Sequence, residues 1–171
     1  MNMRLTAVSL TIALVAISLA SVLYALEPAS EADKVFVGKV SQGGMYEVEA
    51  SKVAGQMATA PDVKDLAVME VHDHDLVNRE LKKIATEKGI PVSSALNATF
   101  QQRLEKLKSV SGPEFDAAYI ADMEEIHDND QKLFAQEAME GSDKFKTFAH
   151  QTDLIVKRHI GALHGLDQKE Q

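Results

Sequence analysis

The chain of 171 residues has no cysteine. That excludes disulfides, a thiolate metal site, a cysteine nucleophile and a lipidated N-terminal cysteine, so any metal must be held by His, Asp and Glu. Clustered positive charge is also missing. The formal net charge is −8, and removing the N-terminal residues with Arg4 leaves a still more acidic domain, which argues against nucleic acid as a partner. No stretch alternates as strands do, and the β-branched residues are scattered. There is no Gly-rich phosphate loop, no Gly-x-Ser-x-Gly elbow and no His-Glu-x-x-His zinc protease motif. Fixed-period repeats and low-complexity tracts are absent too.

What the sequence does have begins with MNMR, followed by an uncharged run from Leu5 to Leu26 and then the acidic EPASEAD. This is the pattern of a basic n-region and a hydrophobic h-region. Residues 1–26 are expected to be a signal peptide or an uncut anchor, and either places the following domain outside the cytoplasm, periplasmic or otherwise exported. Beyond it, glycine and proline punctuate helical periodicity. Helix 1 is expected over about Asp33 to Thr59, and helix 2 from the Pro61 turn to about Lys88, with Gly89 as a left-handed stop. A short helix over about Ala95 to Val110 follows, then helix 3 from Pro113 to about Glu140 and helix 4 after Gly141-Ser142-Asp143 to near Leu166. The expected class is all-α. Four long helices with a short connector between helices 2 and 3 suggest a four-helix bundle over residues 33–167, connected as in ferritin-like folds.

Stepping about 100° per residue along each helix sorts the polar residues. On helix 1, Glu47 falls at the centre of the stripe Phe36, Val40, Gly43, Ala50 and Ala54, while Glu49 points away. On helix 2, Glu70 lies near the centre of the stripe and His74 at its edge, with Asp73 close by; His72 and Asp75 face water. Helix 3 carries Asp130 and Glu137 inward and Asp116 and His127 on one flank, and helix 4 carries His159 inward. At about 1.5 Å per residue, Glu47 and His74 stand level across the helix 1–2 turn, and His127 stands near mid-helix. His159 is offset by roughly 6 Å. A buried polar group without a partner costs about 1 to 3 kcal/mol, so these residues must meet one another or a cation.

Each residue alone has an ordinary explanation: a charge over Gly43-Gly44, a His127 bonded to Asp116 or Tyr119, a satisfied core histidine. Their convergence points to a metal site. Glu124 and His127 form a Glu-x-x-His pair of the di-iron kind, but Val156 stands three residues before His159, so the second pair is missing. A His-rich site with one or two carboxylates suits zinc, iron or copper better than calcium or magnesium.

The run SQGGMYEVEASKVA from Ser41, the Asp73-His74 pair with Asn78 and Leu81, SGPEFDAAYIADMEEIH from Ser111 and the late His159 resemble the exported bacterial family called domain of unknown function 4142. The resemblance spans about Val35 to Leu163. It implies a ferritin-like helical bundle, and by position it points to Glu47, Asp73, His74, Asp116, Tyr119, His127 and His159. Glu70 stands where the resemblance implies an apolar residue such as Met, and Asp153-Leu154 where it implies Leu-Pro.

The expected ligands are therefore Glu47, His74, His127 and His159, with Glu70 as an added one and Asp73 or Asp116 orienting them. The expected function is an exported metal-binding protein, with the metal ion as partner and the membrane reached only through an uncut N-terminus. The alternative is a non-catalytic envelope interaction or stress protein with a metal-free polar core. If there is enzymatic activity, it is ferroxidase or peroxide chemistry, with Tyr119 as a nearby radical or proton donor.

Because a helix turns residues two apart about 200° from each other, His72 and His74 are expected to differ. His72→Ala should change unfolding free energy by no more than roughly 0.5 kcal/mol. His74→Ala should cost more and abolish stabilisation by added metal. Metal-dependent melting of the two variants checks this, and a larger effect at His72 contradicts the facing assignment.

Overall fold

The computed structural model describes residues 29–170. The expected leader, residues 1–26, lies outside them. Among the described residues there are five helices and no strand: α1 (Glu31–Met57), α2 (Pro61–Glu87), α3 (Ala98–Lys108), α4 (Pro113–Glu140) and α5 (Asp143–Glu170). None of them is long and apolar enough to cross a membrane.

The boundaries follow local chemistry. Ser30 caps α1, its side chain accepting from the Asp33 amide while Asp33 accepts from the Ser30 amide. This reciprocal box starts the helix two residues before the expected Asp33. Pro61 and Pro113 occupy first-turn positions, where a missing N–H costs nothing. Gly89 ends the α2 segment at φ +70°, the left-handed backbone that glycine tolerates. Asn97 accepts from the Phe100 amide and fixes the start of α3, three residues later than the expected Ala95.

The α1–α2 turn is held from across the molecule. Asp116 on α4 accepts from the Thr59 amide at 2.9 Å, from the Ala60 amide at 2.8 Å and from the Thr59 hydroxyl. That carboxylate is spent on orphan donors of a turn, so the expectation that Asp116 orients a histidine is corrected: it sits at the end of the helices. On the other end, Asp33 accepts from the Ser142 amide at 3.0 Å and joins α1 to the α4–α5 turn.

Helices α1 and α2 pack together, as do α4 and α5, and α1 also meets α4 while α2 meets α5. Gly44 lets α1 and α2 close, since a Cβ there would stand 2.1 Å from Asn78 Oδ1. The connector α3 lies against α1 and α4. It is held by Arg103, whose Nε donates to Asp122 Oδ1 at 2.6 Å and whose guanidinium stands over the Tyr46 ring. Tyr46 also donates to Asp122 and stacks on Phe100.

The apolar interior is divided into two clusters. One gathers Ala50, Ala54, Leu66, Phe115, Tyr119, Met123 and Leu163 near the α1–α2 turn. The other gathers Phe36, Val40, Leu81, Phe134, Phe145 and Phe148 toward the opposite end. On α2, α4 and α5 the residues between the clusters include Glu70 to His74, His127 to Asp130, and His159. A polar layer thus crosses the core at mid-height.

Candidate metal centre

Helical register explains how the layer is assembled. Glu70 and His74, four residues apart, share one face of α2. His127 enters from α4 and His159 from α5. Glu47, Glu70, His127 and His159 are completely buried, and His74 is 2% exposed.

One carboxylate oxygen faces three imidazoles. Glu70 Oε2 lies 3.0 Å from His74 Nε2, 3.3 Å from His127 Nε2 and 3.1 Å from His159 Nδ1. His127 Nε2 is in turn 3.4 Å from His74 Nε2 and 3.1 Å from His159 Nδ1. One ligand atom from each of the four residues lies within 4.8 Å of the others. A tetrahedral centre with metal–nitrogen bonds of about 2.0–2.1 Å would put its ligand atoms about 3.3–3.4 Å apart. The five separations given above, 3.0–3.4 Å, are close to those edges. Both oxygens of Glu70 are buried and lack a well-aligned hydrogen bond, although all three rings stand 3.0–3.3 Å from Oε2.

The outer nitrogens of the rings are occupied. His127 Nδ1 donates to the Met123 carbonyl at 2.8 Å, and His159 Nε2 donates to Asp73 Oδ2 at 2.9 Å. His74 Nδ1 faces Glu47 Oε2 at 3.1 Å. Asp73 is itself held by Arg158 and by His72 Nδ1 at 3.0 Å. With their outer protons spent, the inner nitrogens of His127 and His159 present lone pairs to one point. Such a point demands a cation, which is either a proton or a metal ion.

Glu70, His74, His127 and His159 thus come together. Glu47 belongs to the same buried layer, but its carboxylate meets the outer side of His74, and its Oε1 is 3.7 Å from the outer nitrogen of His127. Periodicity could place Glu47 inward; it could not tell which ring nitrogen it would meet. Asp73 reaches His159 from behind, as an orienting residue would. His72 is exposed, as its helical phase requires, yet touches Asp73. Tyr119 is spent on Ser51, with its hydroxyl 2.8 Å from Ser51 Oγ. Glu124 is half-buried and outside the four-residue group. The contribution of Arg158 was missed by sequence reasoning, because it is an exposed arginine whose partner only the α2–α5 contact reveals.

The family model for the domain of unknown function DUF4142 matches residues 22–166 of the chain. The chain belongs to the DUF4142 family. Comparison with curated proteins gives no match. Among solved structures, a DUF305 fragment from Deinococcus radiodurans is similar, with TM-score 0.73 and 12% identity over 82% of this chain and 97% of that one. The likeness shows that this DUF4142 chain shares the helical fold of that fragment.

Electrostatics in this DUF4142 core are set by burial working against close charges. Burial pushes the Glu70 carboxyl up, but His127, His159 and His74 outweigh it and hold it well below the usual range. Burial depresses His127, yet Glu70 and the Glu47 charge carry it up to about 10. His74 is lowered by burial. Burial, with the Asp130 charge, holds Glu47 well above the usual carboxylate range. Without metal, the proton therefore sits on His127, paired with ionised Glu70.

The pH dependence of metal-free protein follows. His127 titrates near 10 when folded and 6.5 in its ordinary state. Its stabilising contribution is complete below 6.5 and is lost as pH rises through about 10. The depressed Glu70 contributes above its ordinary value of 4.5, and that contribution is lost as pH falls through its lower folded value. Melting of chelated protein across pH should show both limbs, and Glu70→Gln should shift the alkaline limb to lower pH. An unmoved alkaline limb contradicts the pairing.

Proposed function

We propose that this DUF4142 protein is an exported, ferritin-like four-helix bundle, with α3 as its connector, that holds one transition-metal ion. The ligands are Glu70, His74, His127 and His159; Glu47, the Met123 carbonyl and Asp73 set the three rings from behind. The observation that carries the reading is the occupied outer side of every ring, which aims the inner nitrogens at a common point beside an unsatisfied carboxylate. Zinc, iron and copper suit such a set. The bound ion would supply the positive charge that this cluster otherwise takes from a proton. Four side chains close the shell, and neither the groove along α1 and α4 nor the one between α3 and α4 is lined by any of them. The role this supports is holding the ion and tying α2, α4 and α5 together, with no open position for a substrate. A di-iron oxidase is disfavoured, since Glu124 lies outside the group. Export rests on the leader pattern of residues 1–26, and contact with a membrane on that segment remaining uncut.

A second reading is favoured by the high proton affinity of His127. A protonated His127 would complete a metal-free polar core, as in a non-catalytic envelope interaction or stress protein. Zinc added to chelated, tag-free protein separates the two. The metal reading expects one ion per chain and a higher melting temperature, equivalent to about 2.7 kcal/mol at a hundredfold excess over Kd. The His74→Ala, His127→Ala double variant should retain neither. Equal metal content in both proteins, with melting unmoved by chelator, would sink the metal reading and leave the polar network.

A further inference from the structure

Two carboxylates beside the centre touch solvent, Asp73 and Asp130, each 8% exposed. They differ in how they are engaged. Asp73 Oδ1 is taken by His72, and Oδ2 by His159 and Arg158. A cation approaching there meets a guanidinium and a carboxylate with no free oxygen. Asp130 accepts no hydrogen bond from any described residue. It lines a groove of about 720 Å³ between α1 and α4, together with Gly43, Ile126, Asn129 and, from the α3 side, Phe100.

The position continues inward. Gly43 leaves room over Asp130, since a Cβ there would lie 3.8 Å from Asp130 Oδ1 and 3.9 Å from Ile126 Cδ1. About one turn along the same helices, Gly43 is succeeded by Glu47 and Asp130 by His127. Both Glu47 oxygens are buried without a hydrogen bond, and Glu47 is within electrostatic reach of Asp130. Asp130 at the solvent-touched edge and the buried Glu47 and Glu70 therefore lie within electrostatic reach of one another. Arg103 also lines the groove, but its charge is committed to Asp122 and Glu125. Lys39 and Lys132 are exposed side chains on the same lining, so what draws a cation inward is the floor of the groove.

We propose that the α1–α4 groove is the route by which a divalent transition-metal cation reaches and leaves the buried centre, with Asp130 as its first, transient ligand and Glu47 as the next. This rests on the metal reading above. A residue on the route changes rates of loading and release together, whereas a ligand changes affinity.

Cobalt(II) added to chelated full-length protein, followed by the absorption of four-coordinate cobalt, separates the possibilities. Asp130→Asn keeps shape and removes charge; it should slow both loading and release by about tenfold or more while Kd stays within about threefold. Gly43→Ala, whose added methyl fits at ordinary contact distance, should slow loading by a smaller factor. Asp73→Asn should instead weaken affinity through faster release, with loading unchanged. If Asp130→Asn loads at the wild-type rate, or loses affinity at an unchanged loading rate, the route is wrong while the metal reading stands. If wild-type protein takes up no cobalt, the metal reading fails and the route with it.

Discussion

An ionised carboxylate in the middle of a helical core must meet positive charge, and Glu70 is that carboxylate. It is fully buried, and neither of its oxygens has a well-aligned hydrogen bond. Its counter-charge is concentrated on imidazoles delivered by three helices. Removing one partner of such a buried pair typically costs about 3–5 kcal/mol, because the remaining charge is left stranded. The rest of the layer reads as support for this contact: the Met123 carbonyl fixes His127, Asp73 fixes His159, and Arg158 fixes Asp73. Apolar clusters above and below keep water away and strengthen each electrostatic contact.

That arrangement distinguishes this core from a di-iron site, which needs two Glu-x-x-His pairs and bridging carboxylates. Here three histidines and one glutamate face a single point. The same point takes a proton and, on the proposed reading, would take a metal ion instead, so the charge requirement would be met either way. The fold shared with the DUF305 fragment supplies long helices and does not by itself dictate what crosses them.

Much of the architecture was legible in the sequence. Proline first turns, the Gly89 stop and apolar stripes located all five helices, with ends shifted by a few residues where Ser30 and Asn97 act as caps. The inward placement of Glu47, Glu70, His74, His127 and His159 was legible for the same reason, since helical phase is fixed at about 100° per residue. Phase gives direction from one helix axis, but neither side-chain reach nor the rotation of an imidazole. Phase makes both Glu47 and Glu70 inward candidates, and the family resemblance makes Glu70 an addition; in the structure Glu47 faces outer nitrogens and Glu70 the inner ones. Asp116 was read as an orienting residue because it shares a flank with His127; three turns of helix separate them, and the turn at Thr59 and Ala60 claims it. Arg158 carried no signal, since exposed arginines are common and its role depends on which helix lies alongside.

X-ray absorption of the protein loaded with one equivalent of zinc tests the central claim most directly, because it counts and identifies the atoms around the ion. The account predicts a four-coordinate shell of three imidazole nitrogens and one carboxylate oxygen at about 2.0–2.2 Å, with no coordinated water. A shell containing one histidine or none, or one dominated by water oxygens, would contradict it.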